Sequence, residues 1–415
     1  MSSTPPAYVA PKPVVEGAAK KRALGLILFV MLMDIIGLTI LLPVAPFIVA
    51  RYSTDAFTVT LLTGIYAAAS FVAAPAMGNI SDRIGRRPVL LISVLGSAIG
   101  YFIFGIGGAL WVLFLARLID GVTGGNFSTA TAYIADVSTP EERPQNFALI
   151  GMAFGLGFVL GPALSAATSL ISIDAPAFTA AILSLISVVL MYFALPESLP
   201  KERRNTAPLT LSSFNPLITI AEIAAKPGMP ILILISCIFA FAFNGINSTF
   251  AKYVSEHFTV SAAQIATVFV AGGLITAIVQ GSLVRPLVKR FGEKAMTIAS
   301  LLGLAIGIVG VVLAPSFWWL YPSTLFRNGL GGFFWATMGS LTAAKVQPRE
   351  QGKLSGVNSA LQNLMAVFGP IAAGVTYDNF SPATPLWAGV VILIVGALVT
   401  LAIKTTPKRV PSQAA

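Results

Sequence analysis

The sequence predicts an all-α polytopic membrane protein with twelve spanning helices in two pseudo-symmetric bundles of six. Three observations carry this. Hydrophobic types make up 56% of the 415 residues and charged types only 10%, whereas soluble domains hold about a quarter charged residues. Too little charge is present to cover a water-facing surface. Apolar stretches near the roughly 20-residue length that crosses a bilayer recur along the chain. The two halves of the chain also resemble each other at a nearly constant offset.

The elements follow in order. Residues 1–19 are rich in Pro, Ser and Ala and read as a disordered tail; Lys20, Lys21 and Arg22 close that tail, 1–22. The apolar run 23–50 is far longer than a signal-peptide core and has no convincing small-residue cleavage site, so it reads as an uncleaved first span. Further spans are expected at 57–80, 89–108, 110–135, 146–170, 176–195, 229–254, 262–284, 295–314, 317–344, 354–376 and 384–403. The gaps are short except for 196–228, which opens Pro196-Glu197-Ser198-Leu199-Pro200 and reads as a linker. Its 216–225 portion is apolar enough for a short helix lying on the membrane surface. The expected organisation is an N-terminal bundle over 23–195, a linker over 196–228, a C-terminal bundle over 229–403 and a tail over 404–415.

Charge sets the orientation. With twelve spans both termini share a side, and all but four of the 26 Lys and Arg fall in the tails, the linker and the other loops of that side. Arg51 and Lys252 lie opposite, while Arg117 and Arg327 lie within spans. The positive side faces the cytoplasm, so both termini are expected there, in the cell (inner) membrane. This distribution accounts for the net charge of +10 without nucleic acid as a partner. One cysteine, Cys237, and one histidine, His257, exclude intramolecular disulfides and multi-ligand Cys or His metal centres. His257 is expected in an external loop as a solvated residue. No phosphate-binding Gly-x-x-x-x-Gly-Lys run appears, so direct use of ATP is not expected, nor any cofactor.

The repeat has an offset of about 208 residues. Gly161-Pro162 recurs as Gly369-Pro370, Pro140-Glu141-Glu142 as Pro348-Arg349-Glu350, Arg83-Ile84-Gly85 as Arg290-Phe291-Gly292, and Arg117 as Arg327. Halves of six spans insert the same way up, related by an axis along the membrane normal, with a site between them near the midplane.

Within the spans the charged residues stand out. Asp34 lies twelve residues past Arg22, about 18 Å along a helix, near the middle of an apolar layer about 30 Å thick. An ionised Asp there costs about 2.5–3.5 kcal/mol, and a carboxyl that can be neutral or charged can carry a proton; a permanently hydrogen-bonded structural Asp is the alternative. Arg117 and Asp120 are three apart and share a helix face. Asp120 lies sixteen residues, about 24 Å, from Asp136 at the cytoplasmic end, at a depth similar to that of Asp34. Two readings stand: a self-neutralising structural pair, or competition of Asp120 and Asp34 for Arg117 that couples protonation to transport.

The loop Gly78-Asn79-Ile80-Ser81-Asp82-Arg83-Ile84-Gly85-Arg86-Arg87-Pro88 sits between the second and third spans. Gly85 allows a tight turn, and Asp82 can pair with Arg83, Arg86 or helix ends, with Asp136 as a further partner for the arginines. The loop resembles the signature loop of the major facilitator superfamily. Arg117-Leu118-Ile119-Asp120-Gly121 and the fifth-span set Gly151, Gly155, Gly157 and Gly161-Pro162 are similar to further motifs of that family, the last to one associated with its antiporters. With Asp34, Gly37 and Pro43 of the first span, these residues resemble the tetracycline-resistance branch of proton-coupled drug efflux proteins. The resemblance covers about 20–405. It implies a loop cluster that latches the two halves on the cytoplasmic side, and a glycine-mediated contact in the fifth span that blocks proton leak. The 151/155 and 157/161 pairs, four apart, permit close helix contact, and Pro162 bends the helix.

The C-terminal half lacks a mid-membrane carboxylate. Its polar residues Asn244, Asn247, Gln280, Arg327, Asn328, Asn358, Gln362 and Asn363 suit substrate hydrogen bonding, with Phe239, Phe241, Phe243, Phe333, Phe334 and Trp335 as aromatic walls. The expectation is a monomeric, proton-coupled exporter of a small amphipathic organic compound that works by alternating access. A proton-coupled metabolite or sugar transporter of the same fold, or a receptor that transports nothing, is the alternative. No catalytic constellation is present, so an enzyme is not expected.

Overall fold

The structure, a computed structural model, describes residues 17–139, 142–205, 216–347 and 350–403. Residues 1–16 of the expected 1–22 tail, the expected tail over 404–415 and the 206–215 part of the linker lie outside the described residues, as do Pro140, Glu141, Pro348 and Arg349 of the repeat. The described residues form helices and connecting turns without a strand. They pack as two compact units, one built from Met1–Asn215 with Ser248–Gly273, the other from Pro216–Asn247 with Leu274–Ala415.

In the first unit, α1 (Gly17–Ile40) begins six residues before the expected span, and its basic residues 20–22 are helical. It stops at Ile40 because Pro43 and Pro46 follow; proline has no N–H to give and crowds the preceding turn. A turn at 41–44 leads into α2 (Ala45–Val49). Then come α3 (Ala56–Ile84) and α4 (Arg86–Ile106). The fourth expected span is two helices, α5 (Leu110–Thr123) and α6 (Asn126–Asp136). They break at Gly124 and Gly125, where a Cβ would stand 3.1 Å from Tyr66 Oη and 3.1 Å from Ala74 Cα respectively. Next, α7 (Arg143–Thr168) continues through Pro162 and packs along α1, and α8 (Ala175–Ala194) packs on α4.

The second unit opens with α9 (Pro216–Ala224), the short helix expected in the linker, which packs on a later helix of the same unit. Both α10 (Met229–Phe258) and α11 (Ala262–Ile278) belong partly to each unit. A π-helical segment, Val279–Leu283, joins α11 to α12 (Val284–Phe291). Pro286 explains it: without an N–H it cannot close the ordinary turn, and the wide turn just before it absorbs the defect. The unit continues with α13 (Glu293–Val312), α14 (Leu320–Thr324), a second π segment Leu325–Leu330, α15 (Phe333–Ala343), α16 (Gln351–Asn379) and α17 (Thr384–Leu401).

Among the described residues, nine helices are long and apolar enough to cross a membrane. The other three expected spans differ for physical reasons. Residues 110–135 break at the glycine pair, and 317–344 break at the second π segment. Residues 354–376 lie inside α16, which is continuous but diluted by Asn358, Gln362 and Asn363.

The expected C-terminal bundle took in 229–403, yet 248–273 pack with the first unit. Ala262 joins the cluster of Ile40, Val49, Leu62 and Leu113. A Cβ on Gly273 would stand 2.7 Å from the Phe158 carbonyl oxygen, and Lys252 Nζ donates to the Thr54 carbonyl at 2.6 Å.

Packing within each unit follows the repeat. Where a Cβ would sit on Gly161, Ile36 O is 3.1 Å away; on Gly369 the neighbour is Phe241 O at 2.6 Å. In both halves the Gly-Pro glycine thus sets its helix against the first span of that half. Lys20 pairs with Glu142, and Lys226 with Glu350. Glu142 also accepts the Thr139 N–H, as Glu350 accepts that of Gln347. The hydrogen bond from Lys20 holds the Glu142 carboxyl below its usual range.

Candidate functional site

Three helical elements of the first unit bring the mid-membrane charges together. Asp120, on α5, is buried and accepts from Arg117 Nη1 at 3.1 Å. The Arg117 guanidinium lies over the Phe104 and Tyr101 rings, 4.5 and 5.7 Å from their centroids. The rings carry their negative faces toward the cation, so Arg117 has both an acid and an aromatic bed. Gly100 on α4 makes room, since a Cβ there would stand 3.0 Å from that of Asp120. Ser97 is beside Asp120.

Asp34, on α1, accepts a hydrogen bond from Asn126 Nδ2. Asn126 is the first residue of α6, so the break at Gly124-Gly125 delivers its side chain to α1. Asp120 stands close enough for its charge to act on Asp34. Of the two carboxylates, then, Asp120 holds the arginine in this structure and Asp34 holds an amide. Asn126 was not assigned a role from the sequence; it is neutral, and its meaning depends on a helix break.

At the start of α4, Arg86 is 8% exposed. Its guanidinium meets Asp82 at 2.6 Å, Asp136 at 3.1 Å and Ser81 Oγ at 2.6 Å. Ser198 Oγ donates to Asp136. Glu197, just past α8, accepts the backbone N–H groups of Arg86 and Arg87. Arg87 reaches the Tyr192 carbonyl and lies over its ring. Gly85 has φ +111°, and a Cβ there would be 2.3 Å from Glu197 Oε2; both facts require glycine. Gly78 is open on α3, with Ser128 Oγ 3.9 Å from where a Cβ would sit. Arg83 makes no ion pair among the described residues. Glu197 and Ser198 were missed because they follow the last span of the bundle, in what reads as linker.

The α7 glycines divide. Built Cβ atoms on Gly157 and Gly161 would stand 2.4 Å from Ile35 Cγ2 and 1.9 Å from Thr39 Oγ1, while nothing lies within 4 Å of those on Gly151 and Gly155. Among the described residues, then, no close contact forms at the 151/155 pair, although its spacing is the same. Thr39 Oγ1 also donates to the Gly157 carbonyl at 3.0 Å. We expect Gly161→Val to cost about 1–3 kcal/mol through overpacking, and Gly155→Val to be near neutral. Melting temperatures of the two purified variants check this.

In the second unit, Asn244 and Asn247 each give an amide N–H to the carbonyl four residues back, at 2.8 Å, and so present acceptors. Gln280 lies in one π segment and Arg327 and Asn328 in the other. The segments are neighbours: a Cβ on Gly329 would be 3.4 Å from Ile275 and 4.0 Å from Val279. Asn328 Oδ1 is buried with no hydrogen-bond partner among the described residues. Asn358 and Gln362 sit four apart on α16. Phe239 stacks on Phe334 at 3.7 Å, with the Trp335 edge against both. Exposed His257 stacks on Tyr253 at 5.3 Å.

The sequence model described as Major Facilitator Superfamily matches residues 27–286 and again 232–415. The chain belongs to the major facilitator superfamily. Within that family it is similar to the tetracycline resistance protein, class C, of Escherichia coli, at 31% identity over 384 residues, 91% of this chain and 94% of that one. It is 26% identical to multidrug resistance protein 2 of Bacillus subtilis, over 86% of this chain and 90% of that one. Among solved structures, the human organic anion transporter TETRAN matches 93% of this chain and 100% of its own, with TM-score 0.71 and 23% identity. The nucleoside transporter NupG matches 93% and 99%, with TM-score 0.74 and 14% identity. The last two show the fold alone. As a member of a transporter superfamily the chain is a multi-pass membrane protein with a small-molecule substrate, not an enzyme.

Proposed function

We propose that the protein exports small amphipathic organic compounds from the cytoplasm in exchange for protons, with both termini cytoplasmic and the chain acting as a monomer in the cell membrane. The observation that carries this reading is the buried group of α1, α5 and α6, in which Arg117 pairs with Asp120 and Asp34 meets Asn126. Charge in a membrane segment is costly, and two carboxylates, one of them holding an arginine, can exchange a proton against a conformational change. Proton binding shifts the balance between states only as far as it binds them differently. The likeness to tetracycline and multidrug resistance proteins supports export of an organic compound. The acceptors of Asn244, Asn247 and Asn328 and the rings of Phe239, Phe334 and Trp335 suit a substrate with hydrogen-bond donors on an aromatic frame.

The test is transport by purified protein in proteoliposomes with an imposed pH gradient, screened across aromatic donor-bearing compounds and, in parallel, nucleosides and sugars. Accumulation of the first class that collapses with the gradient is expected. Transport of sugars or nucleosides alone would replace the substrate assignment, and transport indifferent to the gradient would remove proton coupling.

The Arg86 cluster gives a second expectation. Asp82→Asn leaves Arg86 with Asp136, and charge-assisted bonds are roughly twice as strong as neutral ones. Membrane insertion should persist while transport falls several-fold and the outward-open population declines. Labelling of single cysteines on both sides of the membrane reads the populations; wild-type transport with unchanged labelling reduces the cluster to a charge anchor.

A further inference from the structure

The two repeat loops differ in a way the transport reading does not use. In the first, Arg86 and Arg87 are consumed by Asp82, Asp136, Glu197 and the Tyr192 carbonyl. In the second, the turn is retained, with Gly292 at φ +84° where Gly85 has φ +111°, but the acids are gone. At the offset of 207 set by Arg83 and Arg290, Lys289 stands in place of Asp82 and Ala343 in place of Asp136. The one carboxylate nearby in sequence, Glu293, forms no ion pair with Arg285, Lys289 or Arg290, and neither does any other carboxylate among the described residues.

The three bases occupy one side of α12. Val284, Leu287 and Val288 pack inward against the cluster of Val279, Met296 and Phe333. Arg285, Lys289 and Arg290 are exposed, and 285 and 289 are one turn apart, so they share a face. Exposed apolar residues border them: Leu283 at 44% and Phe291 at 55%. The Arg290 guanidinium lies 5.2 Å from the Phe291 ring centroid. Lys294, the next base, is occupied otherwise, donating to the Leu401 and Ile403 carbonyls at 2.7 and 2.8 Å.

We infer that this face of α12 is a binding site for an anionic phospholipid, whose headgroup phosphate meets Arg285, Lys289 and Arg290 and whose acyl chain, running back toward the span, covers Leu283. Three uncompensated cations at the end of a membrane-spanning segment attract anionic headgroups, and guanidinium groups match phosphate geometry. A free phosphate would use the bases and leave Leu283 uncovered, so a lipid fits the face better.

The test uses the full-length protein, delipidated in detergent and titrated with short-chain phosphatidylglycerol, short-chain phosphatidylcholine and inorganic phosphate, binding being read by native mass spectrometry. Phosphatidylglycerol should bind best. Each of Arg285→Gln, Lys289→Gln and Arg290→Gln should weaken it roughly fivefold, and the triple variant about a hundredfold, with phosphatidylcholine binding unchanged. The single variants alter exposed side chains, so they carry the measurement even if the triple variant fails to fold. A control variant removes three other bases, Lys21→Gln, Arg22→Gln and Arg143→Gln. An equal loss in that control means a diffuse field, not a site, and overturns the proposal. Inorganic phosphate binding as tightly as phosphatidylglycerol overturns the lipid assignment, and so does parity between the two lipids.

Discussion

Asp34→Asn abolishes uphill, gradient-driven export while the protein still folds and inserts. Asparagine keeps the shape of the side chain and its capacity to hydrogen-bond but cannot exchange a proton. The change also removes a half-buried carboxylate whose ionised form costs about 2.5–3.5 kcal/mol at the membrane centre, so stability should hold or rise. The Asn126 amide, which donates to Asp34 in the wild type, finds an acceptor in the new amide oxygen. Substrate binding should therefore survive. The measurement pairs equilibrium binding with pH-driven uptake into inverted vesicles. Full gradient-driven export by the variant would take Asp34 out of the mechanism.

The second large effect is at Arg117 and Asp120. Removing one partner of a buried ion pair leaves an unpaired charge and costs about 3–5 kcal/mol. Arg117→Gln and Asp120→Asn alone should each melt well below the wild type; the bed of Phe104 and Tyr101 under Arg117 softens the Asp120 variant in part. The double variant has no buried charge unpaired and should recover its stability. If the pair is scaffolding, transport recovers with it. If the pair couples protons to substrate, the double variant is stable and fails to concentrate substrate. We expect the second result, read as melting temperature beside vesicle uptake; a stable, fully coupled double variant would falsify the coupling role.

The all-α membrane architecture was legible because lipid admits few solutions: long apolar runs must be helices, and their basic loops give an orientation. Asp34, Arg117 and Asp120 were legible for the converse reason, as charge stands out in an apolar run. Other features depend on three-dimensional context. The same four-residue glycine spacing is filled by Ile35 and Thr39 at 157/161 and, among the described residues, by nothing at 151/155. A π segment adds one residue to a turn and leaves no mark in composition, so the settings of Gln280 and Arg327 were hidden, although Pro286 hinted at the first. Asn126 needed the break at Gly124-Gly125 to be seen. Glu197 and Ser198 needed the fold to return the end of α8 to the Arg86 loop. The second-unit grouping of 229–247 without 248–273 had no signal, since α10 runs as one unbroken helix through that point.

That discontinuous first unit sets an order of events during synthesis. Its contiguous part ends at residue 215, yet its packing is completed only by Ser248–Gly273. Until the ribosome has passed that stretch, the hydrophobic neighbours of Ala262 and the Phe158 backbone lack the residues that pack on them. At the usual elongation rates of about 5–20 residues per second the interval lasts on the order of seconds. Over that interval the nascent bundle holds an open seam, closed only when the first two helices of the later half arrive.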